Sequence, residues 1–131
     1  MKIILPLAVT LAAAQLAGCH LRDPRPIMMR AEVTTVSDKV CILLPTEGQE
    51  QVYSIEVNEV GNQANRLDKQ FPDGSGPLLS GNKCVPLDGY TFEPGKAYAF
   101  YAGTKSTEDK SYTLTFTLWK NGKELKAERI Q

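Results

Sequence analysis

The sequence predicts an all-β fold, an antiparallel β-sandwich of seven to eight strands lying behind a cleaved signal peptide. Three observations predict it. Beyond residue 30 the dominant hydrophobic period is two, the spacing at which alternate side chains share one face of a strand. Turn signals rich in Gly, Pro, Asn and Asp recur at roughly ten-residue intervals. No segment repeats apolar residues convincingly at helical spacing.

The alternation places strands at 31–36, 39–44, 51–60, 66–71, 83–87, 96–102, 111–120 and 123–130. Val40-Cys41-Ile42-Leu43-Leu44 is continuously apolar and stops at Pro45, the pattern of a central strand covered on both sides. In 51–60, Tyr53, Ile55 and Val57 share one face while Ser54, Glu56 and Asn58 share the other. Pro94-Gly95 is a type II turn signal leading into Tyr98 and Phe100 on one face. The clearest unit is the C-terminal hairpin, where Tyr112, Leu114, Phe116 and Leu118 alternate with Thr113, Thr115 and Thr117. Asn121-Gly122 then supplies a two-residue turn with positive φ at both positions. That turn sets Leu118 opposite Leu125, Phe116 opposite Ala127 and Trp119 opposite Glu124, so apolar meets apolar on one face. It also sets Lys120 against Lys123, a small repulsion. Strands of this number and spacing suit a sandwich of immunoglobulin or fibronectin type, with a small barrel as the alternative.

The first residues carry an address. Met1-Lys2 is followed by an apolar run from Ile3 to Ala14, broken only by Pro6 and Thr10, and then by Leu16-Ala17-Gly18-Cys19. A basic tip, a short apolar core and small residues before a cut are the layout of an export signal. The core is too short for a spanning helix, which needs roughly 20 residues. Leu16-Ala17-Gly18-Cys19 resembles the lipobox of bacterial lipoproteins, which implies diacylglyceryl transfer to the Cys19 thiol and cleavage after Gly18. An ordinary secretory signal with a cysteine near the cut is the alternative. Residues 1–18 are then the signal peptide, 19–29 the lipidated N-terminus and tether, and 30–131 a single sandwich domain. Two prolines between His20 and Met29 make the tether semi-rigid. Two or three acyl chains anchor stably where one does not. His20, not Asp, follows the cysteine, and by resemblance to the lipoprotein sorting rule this implies the inner leaflet of the outer membrane, facing the periplasm.

Of 131 residues, loss of 18 leaves 113, enough for one domain and not two. The 15 Lys and Arg lose only Lys2, so 14 cations stand against 15 carboxylates. That balance lacks the basic footprint that nucleic acid binding needs, and no basic amphipathic stretch suits a membrane surface. The lipid alone has to hold the membrane. With Cys19 acylated, Cys41 and Cys84 remain, and an even pair in a small exported domain reads as a disulfide. Closing a loop of 43 residues contributes about 4 kcal/mol on the chain-entropy account. Two buried free thiols are the alternative.

Catalytic chemistry finds little to stand on. The single histidine, His20, lies beside the lipidated residue, where no folded scaffold positions it as a general base. The carboxylates are scattered, and no Cys/His cluster has zinc spacing. We therefore expect no enzyme, no metal, no cofactor besides the covalent lipid, and no small-molecule substrate. The long loop 72–82 carries Asp73 and two exposed-looking leucines, Leu78 and Leu79, while Tyr90, Tyr101 and Trp119 fall outside or opposite the apolar face of their segments. Aromatic residues are enriched at binding hot spots, so these six are the candidate partner contacts. For Trp119 the competing reading is a cover over the sandwich edge.

Several stretches together resemble a known family. They are His20-Leu21-Arg22-Asp23-Pro24-Arg25-Pro26 with Met28-Met29, Lys39-Val40-Cys41-Ile42, Glu59-Val60-Gly61-Asn62, Asn65-Arg66-Leu67, Lys83-Cys84, and Phe92-Glu93-Pro94-Gly95-Lys96-Ala97-Tyr98. They look like the small lipoproteins described as type VI secretion immunity periplasmic lipoproteins, over most of the mature chain to about Tyr98. The resemblance implies a protein partner, a toxin effector delivered into the periplasm that the lipoprotein binds and neutralises. It carries over no binding residues. An outer-membrane accessory lipoprotein of an envelope assembly is the alternative function.

Overall fold

Period-two patterning becomes nine strands in the computed structural model, which describes residues 26–130. They are β1 (Ile27–Arg30), β2 (Glu32–Val36), β3 (Lys39–Leu43), β4 (Glu50–Glu59), β5 (Asn62–Gln70), β6 (Leu78–Leu79), β7 (Ala97–Lys105), β8 (Asp109–Asn121) and β9 (Glu124–Arg129). The large sheet is built on the row β8-β7-β4. Beyond β8, β1 pairs in parallel with its first half and β9 antiparallel with its second; beyond β4, β5 and β6 share one flank. The row β8-β7-β4-β5 follows the G-F-C-C′ order of an immunoglobulin-type sheet. The small sheet, β2 and β3, forms the second layer, so the arrangement is an uneven sandwich and not a closed barrel.

Between the layers lies one core. Ile42 from the small sheet and Leu44 just past its end meet Ile55, Val57, Phe100, Leu114, Phe116 and Leu118 from the large one. Phe92 sets its ring against Tyr98 at 4.8 Å, and Tyr98 is packed 5.7 Å from Phe116, which closes the end of the core with aromatics. The Cys41–Cys84 disulfide ties β3 to the segment that follows β6, with the Cα atoms 5.1 Å apart.

Four expectations about local structure change. Ile27, Met28 and Met29, read as tether, belong to β1 and pair with Lys110, Ser111 and Tyr112. The sheet reaches back to capture them because β8 is longer than β9 and leaves its first half without a neighbour on that flank. The strand expected at 83–87 reduces to one backbone bond, Val85 N–H to the Ile42 carbonyl at 2.8 Å. Pro86 has no N–H to give, and the Leu87 carbonyl instead accepts from Tyr90 N–H at 3.1 Å in a turn.

The C-terminal hairpin is displaced. Asn121 stands opposite Glu124, Leu118 opposite Ala127, Trp119 opposite Lys126 and Lys120 opposite Leu125, so the loop is Gly122-Lys123. Only Gly122 needs positive φ, at 66°, as glycine does at the first central position of a type II′ turn. Moving the turn by one residue slides the strands by two, which keeps the same side chains inward and removes the Lys120–Lys123 juxtaposition. In β4, a bulge between Val52 and Ser54 overturns the Tyr53-Ile55-Val57 face. Before the bulge Glu50 and Val52 face the core; after it Ile55, Val57 and Glu59 do, and Tyr53 lies on the opposite face.

Candidate functional site

The bulge has one chemical consequence. It turns Glu50 inward, where the carboxylate is only 3 % exposed. Thr104 Oγ1 donates to Glu50 Oε1 at 2.7 Å and the Tyr112 hydroxyl donates to the same oxygen at 2.8 Å. Lys110 Nζ donates to Oε2 at 3.0 Å. The partners come from adjacent strands whose register sets Thr104 opposite both Val52 and Lys110, with Tyr112 opposite Ala102. Burial pushes the Glu50 carboxyl up, but the three hydrogen bonds and the Lys110 charge outweigh it and hold the group below its usual value. Its hydrogen bond to Glu50 raises Lys110, and burial first, then the Glu50 bond, raise Tyr112. No member is poised to exchange a proton near neutrality, so the cluster acts as a fixed ionic clamp.

A second cluster lies toward the other end of β4. Lys96 Nζ reaches Glu59 Oε1 at 3.2 Å and Glu93 Oε2 at 2.8 Å, while Asn65 Nδ2 donates to Glu59 Oε1 at 3.2 Å. The Asn65 bond leads in holding Glu59 below its usual value. Burial pushes the neighbouring Tyr90 hydroxyl up to about 12, and it donates to the Asn65 carbonyl at 3.0 Å. Among the described residues no group of His, Cys, Asp and Glu is placed to hold a metal ion.

The candidate contacts do not come together. Asp73 is exposed in the loop before β6 and Leu78 is 54 % exposed, but Leu79 is buried. Pairing of β6 with Glu50 and Gln51 sends the two leucines to opposite faces, which corrects the reading of both as exposed. Tyr90 is half-buried: its ring meets Phe92 edge-on at 4.8 Å within the aromatic cluster, and it also lines the groove at the seam between the layers. Tyr101 is half-buried on the outer face of the large sheet, its hydroxyl 3.1 Å from Ser111 Oγ. Trp119 is 38 % exposed on that same outer face, six residues further along β8 than Tyr101's partner Thr113. Cys19 lies outside the described residues. The Glu50 cluster escapes sequence reading because Glu50 turns inward beside Thr104 only after the bulge resets the face, whereas Glu59 already shares a face with Ile55 and Val57 and only the fold brings Lys96 and Asn65 to it.

One concavity stands out at the seam between the layers. A groove of about 520 Å³ runs between β3, the segment after Cys84, and β9, floored by Val40, Val85, Leu87, Phe92 and Leu125, with Asp38 and Asp88 at its rim. The β2–β3 hairpin is tied to β9 on this side, since Thr35 Oγ1 donates to the Leu125 carbonyl at 3.3 Å and Leu125 N–H donates to Asp38 Oδ1 at 3.4 Å.

Residues 28–121 match the family described as Domain of unknown function (DUF7480). The chain belongs to the DUF7480 family. The DUF7480 match opens in β1 and closes on the last residue of β8, so it takes in both ionic clusters and the disulfide and leaves out β9. The groove is thus built mostly by the DUF7480 match and completed by Leu125 from outside it. No curated protein and no solved structure matches this DUF7480 chain.

Proposed function

We propose that the protein is a lipid-anchored lipoprotein of the outer membrane, facing the periplasm, that neutralises a toxin delivered by type VI secretion by binding it directly. The reading is carried by Leu16-Ala17-Gly18-Cys19 behind a short apolar run, to which the resemblance between His20 and Tyr98 adds the immunity role. The Cys41–Cys84 disulfide supports it, because such bonds persist in oxidising compartments such as the periplasm. A stapled two-layer scaffold suits tight capture, since a surface already rigid loses little entropy on binding. On this reading the protein needs no catalytic step of its own, and Glu50 and Glu59, the buried carboxylates among the described residues, are engaged in ion pairs.

The test has two arms. Mass spectrometry of the mature protein is expected to start at Cys19 with diacylglyceryl and acyl mass. Cells lacking the gene are expected to die when challenged by sibling cells armed with the toxin encoded beside it, and to survive when the wild-type gene is restored. An acylated protein with unchanged survival would instead favour the accessory lipoprotein of an envelope assembly.

A further inference from the structure

In the small sheet β3 has a neighbour on one side only. The β2–β3 hairpin closes on Ser37 and Asp38, both with positive φ, so Val36 and Lys39 form the hydrogen-bonded pair beside the turn. Alternation then makes Thr35–Val40 and Val33–Ile42 the pairs whose N–H and C=O groups point away from one another. Ile42 uses its outward carbonyl to accept from Val85, after which the chain turns off through Pro86 and Leu87. Val40 is left directing its N–H and C=O into the groove, with no backbone partner on that side among the described residues.

This gap differs from the open edge of β5. β5 carries Arg66, Asp68 and Lys69 along its length, charged side chains of the kind that deter strand addition. At Val40 the free edge instead meets an apolar floor and a cavity whose size lies within the roughly 300–1,000 Å³ of ligand sites. Its rim carries the exposed carboxylates of Asp38 and Asp88 against a single cation, the exposed Lys39.

Position settles which way the groove looks. The described chain begins beside Lys110, whereas Leu125 stands opposite Lys120, ten residues further along β8, or about 33 Å. Between Cys19 and Ile27 the chain spans at most about 28 Å. On the lipid-anchor reading, the end of the domain held nearest the membrane is the one opposite the groove.

We propose that the groove receives a short extended segment of the neutralised toxin, added as a third strand beside β3. Its backbone pairs with Val40, its alternate apolar side chains seat on Val85, Leu87, Phe92 and Leu125, and a flanking basic residue meets Asp38 or Asp88. This rests on the toxin-binding reading above.

The test uses the lipidated full chain in detergent and the purified toxin encoded beside its gene. Amide hydrogen exchange at Val40 is expected to be fast in the free protein and slowed about tenfold or more in the complex. Val40→Pro removes an N–H that bonds nothing in the domain, and Leu87→Trp fills the floor; each is expected to weaken binding about tenfold or more. Gln63→Ala and Glu108→Ala, exposed and on other surfaces, are expected to leave affinity unchanged. A complex that forms with the Val40 amide still fast, or that tolerates Leu87→Trp, overturns the groove and leaves the toxin-binding reading standing. No binding by the wild-type chain overturns that reading, and the groove proposal with it.

Discussion

The Tyr112 hydroxyl donates to Glu50 Oε1 at 2.8 Å, joining residues 62 positions apart inside the large sheet. Neither side chain faces the other unless β4 is bulged at Tyr53, so this bond reports the bulge as well as the clamp. Tyr112→Phe removes one donor to a buried carboxylate and is expected to cost about 2 kcal/mol. Glu50→Gln, which leaves Lys110 without its counter-charge, is expected to cost about 2–3 kcal/mol. Urea unfolding midpoints of the two variants and of the double variant check this; the double should cost less than the sum, because Tyr112→Phe removes the same bond that Glu50→Gln weakens by taking away its charge.

The clamp also fixes an acid limit. Because the folded protein holds Glu50 and Glu59 below their usual values, both bind protons more weakly than in the unfolded chain. Their stabilisation is therefore complete above the ordinary carboxylate range, about 4.5, and is lost as pH falls through the lower folded values. Thermal midpoints are expected to be flat between about pH 6 and 8 and to drop below about pH 4, with the drop smaller in Glu50→Gln.

Reducing the Cys41–Cys84 disulfide, or replacing both residues by alanine, releases a loop of 43 residues and is expected to cost about 4 kcal/mol. Guanidinium titration with and without reductant measures it. A loss below about 1 kcal/mol would show that the Val85–Ile42 bond and the core already hold that loop in place.

The two-residue loop of the last hairpin makes a sharp distinction. Gly122→Ala puts a side chain at φ 66° and is expected to cost about 1 kcal/mol, whereas Asn121→Ala, in the ladder opposite Glu124, costs a few tenths. Equal losses would restore Asn121-Gly122 as the central turn pair.

Gly76 is predicted to tolerate nothing larger. A Cβ there runs into the Val52 carbonyl, which is backbone of β4 and cannot swing aside. Gly76→Ala is expected to cost about 1–3 kcal/mol and to loosen the Val52–Pro77 bond, seen as faster exchange of the Val52 amide.

The residue pattern alone determined the all-β class, most strand positions, the hairpin at the C-terminus and the pairing of Cys41 with Cys84. Each follows from local physics: a period of two, glycine in tight turns, and an even pair of thiols in a short domain read as exported. What only the tertiary structure decided depends on how strands meet. A single extra residue in β4 reverses which side chains face inward, so Glu50 looks in the sequence like an ordinary surface carboxylate before a strand. Likewise the parallel capture of β1, the burial of Leu79, the partial burial of Tyr90, and the free edge at Val40 each depend on a partner distant in sequence. Side-chain alternation is a property of one strand and can be read from it; register and edge exposure belong to pairs of strands, and they exist only once the chain has folded.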